Sequence, residues 1–297
     1  ASSTTKSFAN VIESLTQKLH NDPALAKLEA LHSRMEAAAA LLRLPSDDRG
    51  VSIDVKEPRI SDLFRLEVKI RFAEGSERDK HGPSTQLILH GIVHNLPASL
   101  LVVIAENCEA DLFQKQWLKD CTSVEGKPGR PARLYTTLVH YLLSSNMLPV
   151  KIEDVLLREF AICAGEGLLP DRGQGVLVVE HRAYNDSKEF EGMPIPAKRK
   201  GYIRLKGGMT AFYKTPSAHQ GCTNVYAVSR VNLPVPQAIL PLGMLKRFAA
   251  DLIINSIRLL KSGLYDQWDA VSHQERVPMM PDFYKLVEEM VAEKLNA

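Results

Sequence analysis

The stretch "LPLGMLKRFAADLIINSIRLLKSGL", residues 240–264, decides how the rest of the chain is read. At about 100° per residue, Arg247, Asp251, Asn255, Arg258 and Lys261 gather on one narrow face, with Lys246 as the exception near the start. Leu242, Leu245, Phe248, Leu252, Ile253, Ile257, Leu259 and Leu260 fill about 200° of the wheel, where an ordinary surface helix needs a stripe of about 100°. Such a helix must be covered over most of its circumference. Two arrangements do this: a helix buried on both sides in a solid core, or a helix that packs on a sheet and also roofs an apolar cavity.

The residues upstream supply the sheet. In "FRLEVKIRF" Leu66, Val68 and Ile70 alternate with Glu67, Lys69 and Arg71, the period of two of a half-buried strand. "TQLILHGIVHNL" reads as a second strand, and "PASLLVVIAENCEADLFQKQW" as a helix with Pro97 in its first turn. Further strands are expected near 132–143, 153–163, 175–183, 200–206, 208–215 and 222–231, separated by turn-rich segments such as "AGEGLLPDRGQG" and "TPSAHQG". Residues 6–43 read as helices interrupted at "NDPA", and the tail after 264 ends in one more short helix. The order predicts an α+β fold: a curved antiparallel β-sheet with a long C-terminal lid helix. Residues 1–45 are expected to form an N-terminal helical extension, 46–264 the domain of sheet and long helix, and 265–297 a C-terminal tail with a short helix.

Composition narrows the functional classes. The chain has 297 residues, 45% hydrophobic and 24% charged, with a formal net charge of +2. That is ordinary globular material, with neither the basic excess nor the aromatic platforms of a nucleic-acid binder. The four cysteines are far apart and read as reduced thiols. No apolar run is long enough to span a bilayer, and "ASSTTKSFANVIESL" lacks the apolar centre of a secretory signal. The expectation is a cytoplasmic protein, peripheral to membranes, whose targeting information can lie outside these residues. GxSxG, HExxH and phosphate-cradling glycine loops are absent from the sequence. His90 and His94 share one presumed strand, about 13 Å apart if extended and too far for one metal. No cofactor or metal is expected.

Three segments, "KGYIRLKGGMTAFYK" (200–214), "NVYAVSRVNLPVPQAIL" (224–240) and the wide-faced helix, resemble the carboxyl half of a START domain, the lipid-transfer family named for steroidogenic acute regulatory protein. The family's Gly-x-x-Arg strand ending is matched at Gly201–Arg204, and its strand arginine at Arg158 in "LPVKIEDVLLREFA". "NLPASLLVVIAENCEADLFQKQW" resembles its helix ending in Trp. Departures are visible: Ile152 replaces an Arg, Asn232 replaces an Asp, and the cavity acid of sterol carriers has no equivalent near His140 and Tyr141. The resemblance covers about residues 50–264 and implies a helix-grip fold. A lipid, whether phospholipid, sterol or fatty-acid-like, would then be held in a tunnel and carried between membranes. The rivals are an enzyme acting on a hydrophobic ligand on the same fold, and a ligand-free adaptor.

Arg158 shares a strand face with Leu156, Phe160 and Ile162. An arginine there either forks a ligand carboxylate or phosphate, or bridges to Glu180 on the neighbouring strand; the two can coexist. Arg204 reads as a structural ion pair. The expected ligand-binding set is Arg158, Phe160, Glu180 and Tyr226 on strands, with Leu245, Phe248 and Leu252 on the helix. Leu168 and Leu169 lie at a loop tip, where they either fold back on the core or touch a transient membrane surface, with Lys246 and Arg247 adding weak attraction to headgroups. The run Lys198–Arg199–Lys200 either meets lipid phosphates or is a solvated face.

Overall fold

A computed structural model describes residues 33–34, 36–43, 50–73, 85–108, 123–125, 134–143, 151–163, 175–182, 188–190, 193–233, 236, 238 and 241–268. The strands are β1 (Val51–Lys56), β2 (Arg65–Phe72), β3 (Thr85–Leu96), β4 (Ser123–Glu125), β5 (Leu134–Leu143), β6 (Ile152–Cys163), β7 (Gly175–Arg182), β8 (Glu189–Phe190), β9 (Met193–Pro194), β10 (Ile203–Arg204), β11 (Gly208–Pro216) and β12 (Thr223–Leu233). The helices are α1 (Leu100–Cys108) and α2 (Leu242–Leu260), and α2 runs into a π-helical turn, Lys261–Tyr265.

One sheet takes the order β1-β2-β3-β12-β11-β7-β6-β5-β4, antiparallel throughout, with β10 parallel to the start of β6. A separate hairpin joins β8 to β9. The turn before β11 requires glycine: Gly208 has φ 104°, and a Cβ there would meet the Arg230 carbonyl oxygen at 2.4 Å.

Two apolar layers cover the two faces. On the concave face α2 packs against β1 and β2, where Ile53, Leu66, Val68 and Ile70 meet Ile254, Ile257, Leu260 and Leu264 in one buried cluster. On the convex face Ala38, Leu41 and Leu42, from the helical segment 36–42, pack on Ile88, Leu177, Val179, Ala211, Tyr213 and Val228. Burial of these aliphatic side chains, at roughly 25 cal/mol per Å² of apolar surface, is what binds the layers.

Several sequence expectations shift. β1 and the β8–β9 hairpin were not anticipated. α1 begins at Leu100 rather than at Pro97, because Ser99 caps it: its hydroxyl accepts the Val102 N–H at 3.4 Å and its carbonyl the Val103 N–H at 3.0 Å. Leu259, assigned to the apolar arc of α2, is 41% exposed, so the covered arc is narrower than the wheel implies. The helices expected before residue 33 and in the tail beyond 268 lie outside the described residues.

Candidate functional site

Strand register fixes which residues share the concave face. One row of directly opposed positions runs Val51, Ile70, Leu89, Ser229, Thr210, Glu180, Arg158. The next runs Ile53, Val68, Gly91, Ala227, Phe212, Val178. Neighbours in such rows point to the same side of the sheet. Both rows are apolar under α2 and change character beyond it. The second row loses side-chain volume in the middle of the sheet, at Gly91 and Ala227.

Beyond α2 the first row becomes a polar belt. The Arg158 Nε and Nη2 both donate to Glu180 Oε1, at 2.9 and 2.7 Å, with the arginine side chain 4% and the glutamate 11% exposed. Arg182 on β7 clamps Asp154 on β6, donating from Nε at 2.9 Å and from Nη2 at 2.8 Å. Its Nη1 reaches Thr210 Oγ1 at 3.4 Å, and Thr210 shares a 2.7 Å hydrogen bond with Ser229. Alternation along the strands builds this belt: Asp154 and Arg158 are four residues apart on β6, Glu180 and Arg182 two apart on β7. Burial pushes the Asp154 carboxyl above the ordinary carboxylate range against the pull of the Arg182 guanidinium, and Glu180 adds to the rise. Each arginine of the belt thus has its anion, the condition on which such charges are tolerated away from water.

Glu180 keeps one acceptor open. Both bonds from Arg158 fall on Oε1; among the described residues, Oε2 has no partner. Nearby, Leu89, Val93, Val225, Ala227, Ser229 and Phe212 retain part of their surface accessible, while Leu66, Val68 and Ile70 under α2 are buried.

The expected site residues do not all converge. Arg158 and Glu180 meet as the sequence allows, and Leu245 is buried on α2. Phe160 occupies a concave-face position opposite Val178, and Phe248 and Leu252 lie on α2; the side chains of these three are outside those described. Tyr226 is a correction. It is paired with Tyr213 and Ile92 and packs in the convex layer, so Val225 and Ala227 face the concave side instead. A one-residue change of phase moves a side chain to the opposite face of a sheet.

Lys246 and Arg247 are exposed. Leu168 and Leu169 lie outside the described residues, but the strand ends that flank them, Cys163 and Gly175, are paired at the end of the sheet where β12 begins. The chain enters α2 from the other end, where β12 finishes at Leu233. α2 then runs back until Arg258 pairs with Glu57, just beyond β1. Arg204 is the structural pair expected: it donates to the fully buried Glu153 at 3.0 and 2.9 Å. The second pair of the belt, Arg182 with Asp154, was missed, although strand alternation alone puts it beside Arg158.

No family model matches the chain, and no curated protein matches it. Solved structures do. Human STARD10 aligns with a TM-score of 0.50 at 10% identity, covering 82% of this chain and 83% of that one. Human StAR-related lipid transfer protein 5 aligns with a TM-score of 0.47 at 13% identity, over 80% of this chain and 98% of that one. A STAR-related lipid transfer protein from Xanthomonas axonopodis gives 0.44 at 16% identity, over 71% and 97%. With its curved antiparallel sheet gripped by a C-terminal helix, this chain has a START-like helix-grip fold.

Proposed function

We propose that the protein binds a lipid between the concave face and α2 and carries it between membranes. The observation that carries this reading is the accessible apolar surface at the centre of the concave face. Leu89, Val93, Val225, Ala227 and Phe212 lie in the middle strands of a wide sheet, where a solid core would seal them, and they keep exposed area around the small pair Gly91 and Ala227. A lipid acyl chain lying there would remove that area from water, and the polar belt would orient its head.

The belt also constrains that head. The Arg158 Nε and Nη2 donate to Glu180 Oε1, and among the described residues Glu180 Oε2 has no partner. A hydroxyl, amide N–H or ammonium on the ligand satisfies Oε2; a carboxylate or phosphate would meet a like charge.

Native mass spectrometry of the purified protein, followed by extraction of what it carries, tests the reading. Recovery of lipid by the wild-type protein and its loss in Ala227→Phe, which adds bulk beside Gly91 and keeps every charged residue of the belt, is the expected result. An empty wild-type protein that takes up no lipid from vesicles would leave the adaptor or enzyme reading in its place.

A further inference from the structure

Two groups stand out among the described cations; Lys56, at the end of β1, and Lys188, beside the β8–β9 hairpin, are exposed and belong to neither. Arg65, Arg158, Arg182, Arg204, Arg258 and Lys261 each have a carboxylate partner. Lys151, Lys198, Arg199, Lys200, Arg230, Lys246 and Arg247 are all exposed, and none makes an ion pair among the described residues. The second group shares one end of the sheet. Lys151 precedes β6, residues 198–200 precede β10, Arg230 lies near the finish of β12, and Lys246 and Arg247 stand early in α2. The sequence shows the same asymmetry: residues 192–250 hold nine lysines and arginines and no aspartate or glutamate. A net charge of only +2 hides this concentration.

The centre of this end is a built surface. Glu153, fully buried, accepts the backbone N–H of Arg199 on both carboxylate oxygens, at 3.2 Å each, while holding Arg204. Tyr202 N–H donates to the Arg199 carbonyl at 3.3 Å, and Ile203 N–H to that of Lys151 at 2.8 Å. The turn closes through Gly201 at φ 84°. The Tyr202 ring sits against two cations, Lys151 Nζ and the Arg199 guanidinium, each 5.8 Å from its centroid. A run of like charges normally spreads to lower its own repulsion; here a buried carboxylate fixes its backbone in place.

We infer that this end of the molecule, with Lys198, Arg199, Lys200 and Lys151 around Tyr202 at its centre, docks on anionic phospholipid surfaces. The inference rests on the lipid-carrier reading, since a carrier must meet bilayers. A flat anionic leaflet fits a spread of cations from four elements better than a narrow polyanion does. Tyr202 belongs at the level of the headgroups, where amphipathic rings settle. Docking here turns the entry of α2, with Lys246 and Arg247, toward the bilayer. Each cation near an anionic leaflet strengthens binding severalfold, and salt weakens it, with a screening length of about 10 Å at 0.1 M.

Cosedimentation with vesicles tests this, using phosphatidylcholine alone and phosphatidylcholine with about a third phosphatidylserine. The wild-type protein should bind the anionic vesicles at least about tenfold better, with the preference fading as salt rises. Lys198→Gln combined with Lys200→Gln should remove most of that preference while ligand uptake in solution stays at the wild-type level. Equal binding to both vesicles, or a preference that survives the double change, overturns the inference. So does tight binding to single-stranded RNA or heparin without vesicle binding, which would make the partner a soluble polyanion. Uptake of lipid in solution is read separately, so a protein that carries lipid without preferring anionic vesicles defeats only this inference. One that prefers them yet takes up no lipid defeats only the carrier reading.

Discussion

Along the row that crosses the concave face, the strands under α2 contribute Val51, Ile70 and Leu89, whereas those beyond contribute Ser229, Thr210, Glu180 and Arg158. The backbone ladder is the same in both halves, so the difference lies in what holds each half's side chains. The apolar half depends on α2: remove the helix and its aliphatic surface meets water. The polar half satisfies itself strand to strand and can border either water or a ligand. A sheet that grips a helix on one side and leaves a self-contained polar belt on the other has a built-in place for an amphiphile.

The sharpest way to break that contrast is to remove one member of the belt. Glu180→Leu leaves the Arg158 guanidinium, 4% exposed, without its carboxylate, and should cost about 3–5 kcal/mol in urea unfolding. Adding Arg158→Leu should recover most of the loss, because an apolar pair of similar volume replaces a broken ion pair. Arg158→Leu alone should cost less, since the stranded carboxyl can take up a proton, but it will lower stability as well as change ligand choice. Should the single and double variants prove equally unstable, the two residues do not act as a unit.

How much of this was legible in the sequence follows from the same contrast. β2 was plain because one of its faces is covered and the other carries Glu67, Lys69 and Arg71. β12 was ambiguous in phase, and Tyr226 was misplaced, because both its faces are covered: α2 and the hollow on one side, residues 36–42 on the other. Two-sided burial erases the polar–apolar alternation from which phase is read. β1 was missed despite Val51, Ile53 and Val55 alternating with Ser52, Asp54 and Lys56, a signal only six residues long. The Arg158–Glu180 pair could be anticipated because Arg158 shares its strand face with Leu156 and Phe160, and Glu180 its own with Val178. The direction of the cations at one end could not, since it depends on which loops the topology brings together.

The convex face gives a smaller, pH-dependent effect. His181 precedes Arg182 on β7 but points to the opposite side, and its pKa is lowered to about 4, first by burial and then by Arg34 and Arg182. Above pH about 6.5 the ring is neutral in both folded and unfolded chains, so it adds no pH dependence. Between about 6.5 and 4 the unfolded chain takes up a proton that the folded one refuses, and stability falls as pH falls, by about 3 kcal/mol once complete. Asp154 acts with the opposite sign from about pH 3.8 upward, because its folded pKa is raised, so it offsets part of the histidine's loss. His181→Gln should therefore flatten the stability profile from pH 6.5 to 4 and leave the profile above it unchanged. A slope that persists in the variant would assign the loss to other groups.

The least destabilising change sharpens a second contrast, between the two ends of α2. Its C-terminal half is anchored by Ile254, Ile257, Leu260 and Leu264, all buried, and by the pair of Arg258 with Glu57. In its N-terminal half Leu245 is buried but Leu242, Met244, Ala249 and Ala250 are only partly so. Its first turn has no side-chain cap and no acidic residue, and it places Gly243 in helical backbone. A glycine there favours the frayed state, since it loses more freedom on ordering than alanine does. A Cβ at position 243 would meet nothing within 4 Å, so Gly243→Ala adds no clash. It should raise stability by only about 0.5–1 kcal/mol. If lipid enters past this end of the helix, the same change should slow exchange between vesicles about two- to fivefold without altering the amount of lipid bound at equilibrium. Stability that rises while exchange keeps its rate would mean that lipid enters elsewhere, and the loose end of α2 would then be an incidental feature of a helix held at its other end.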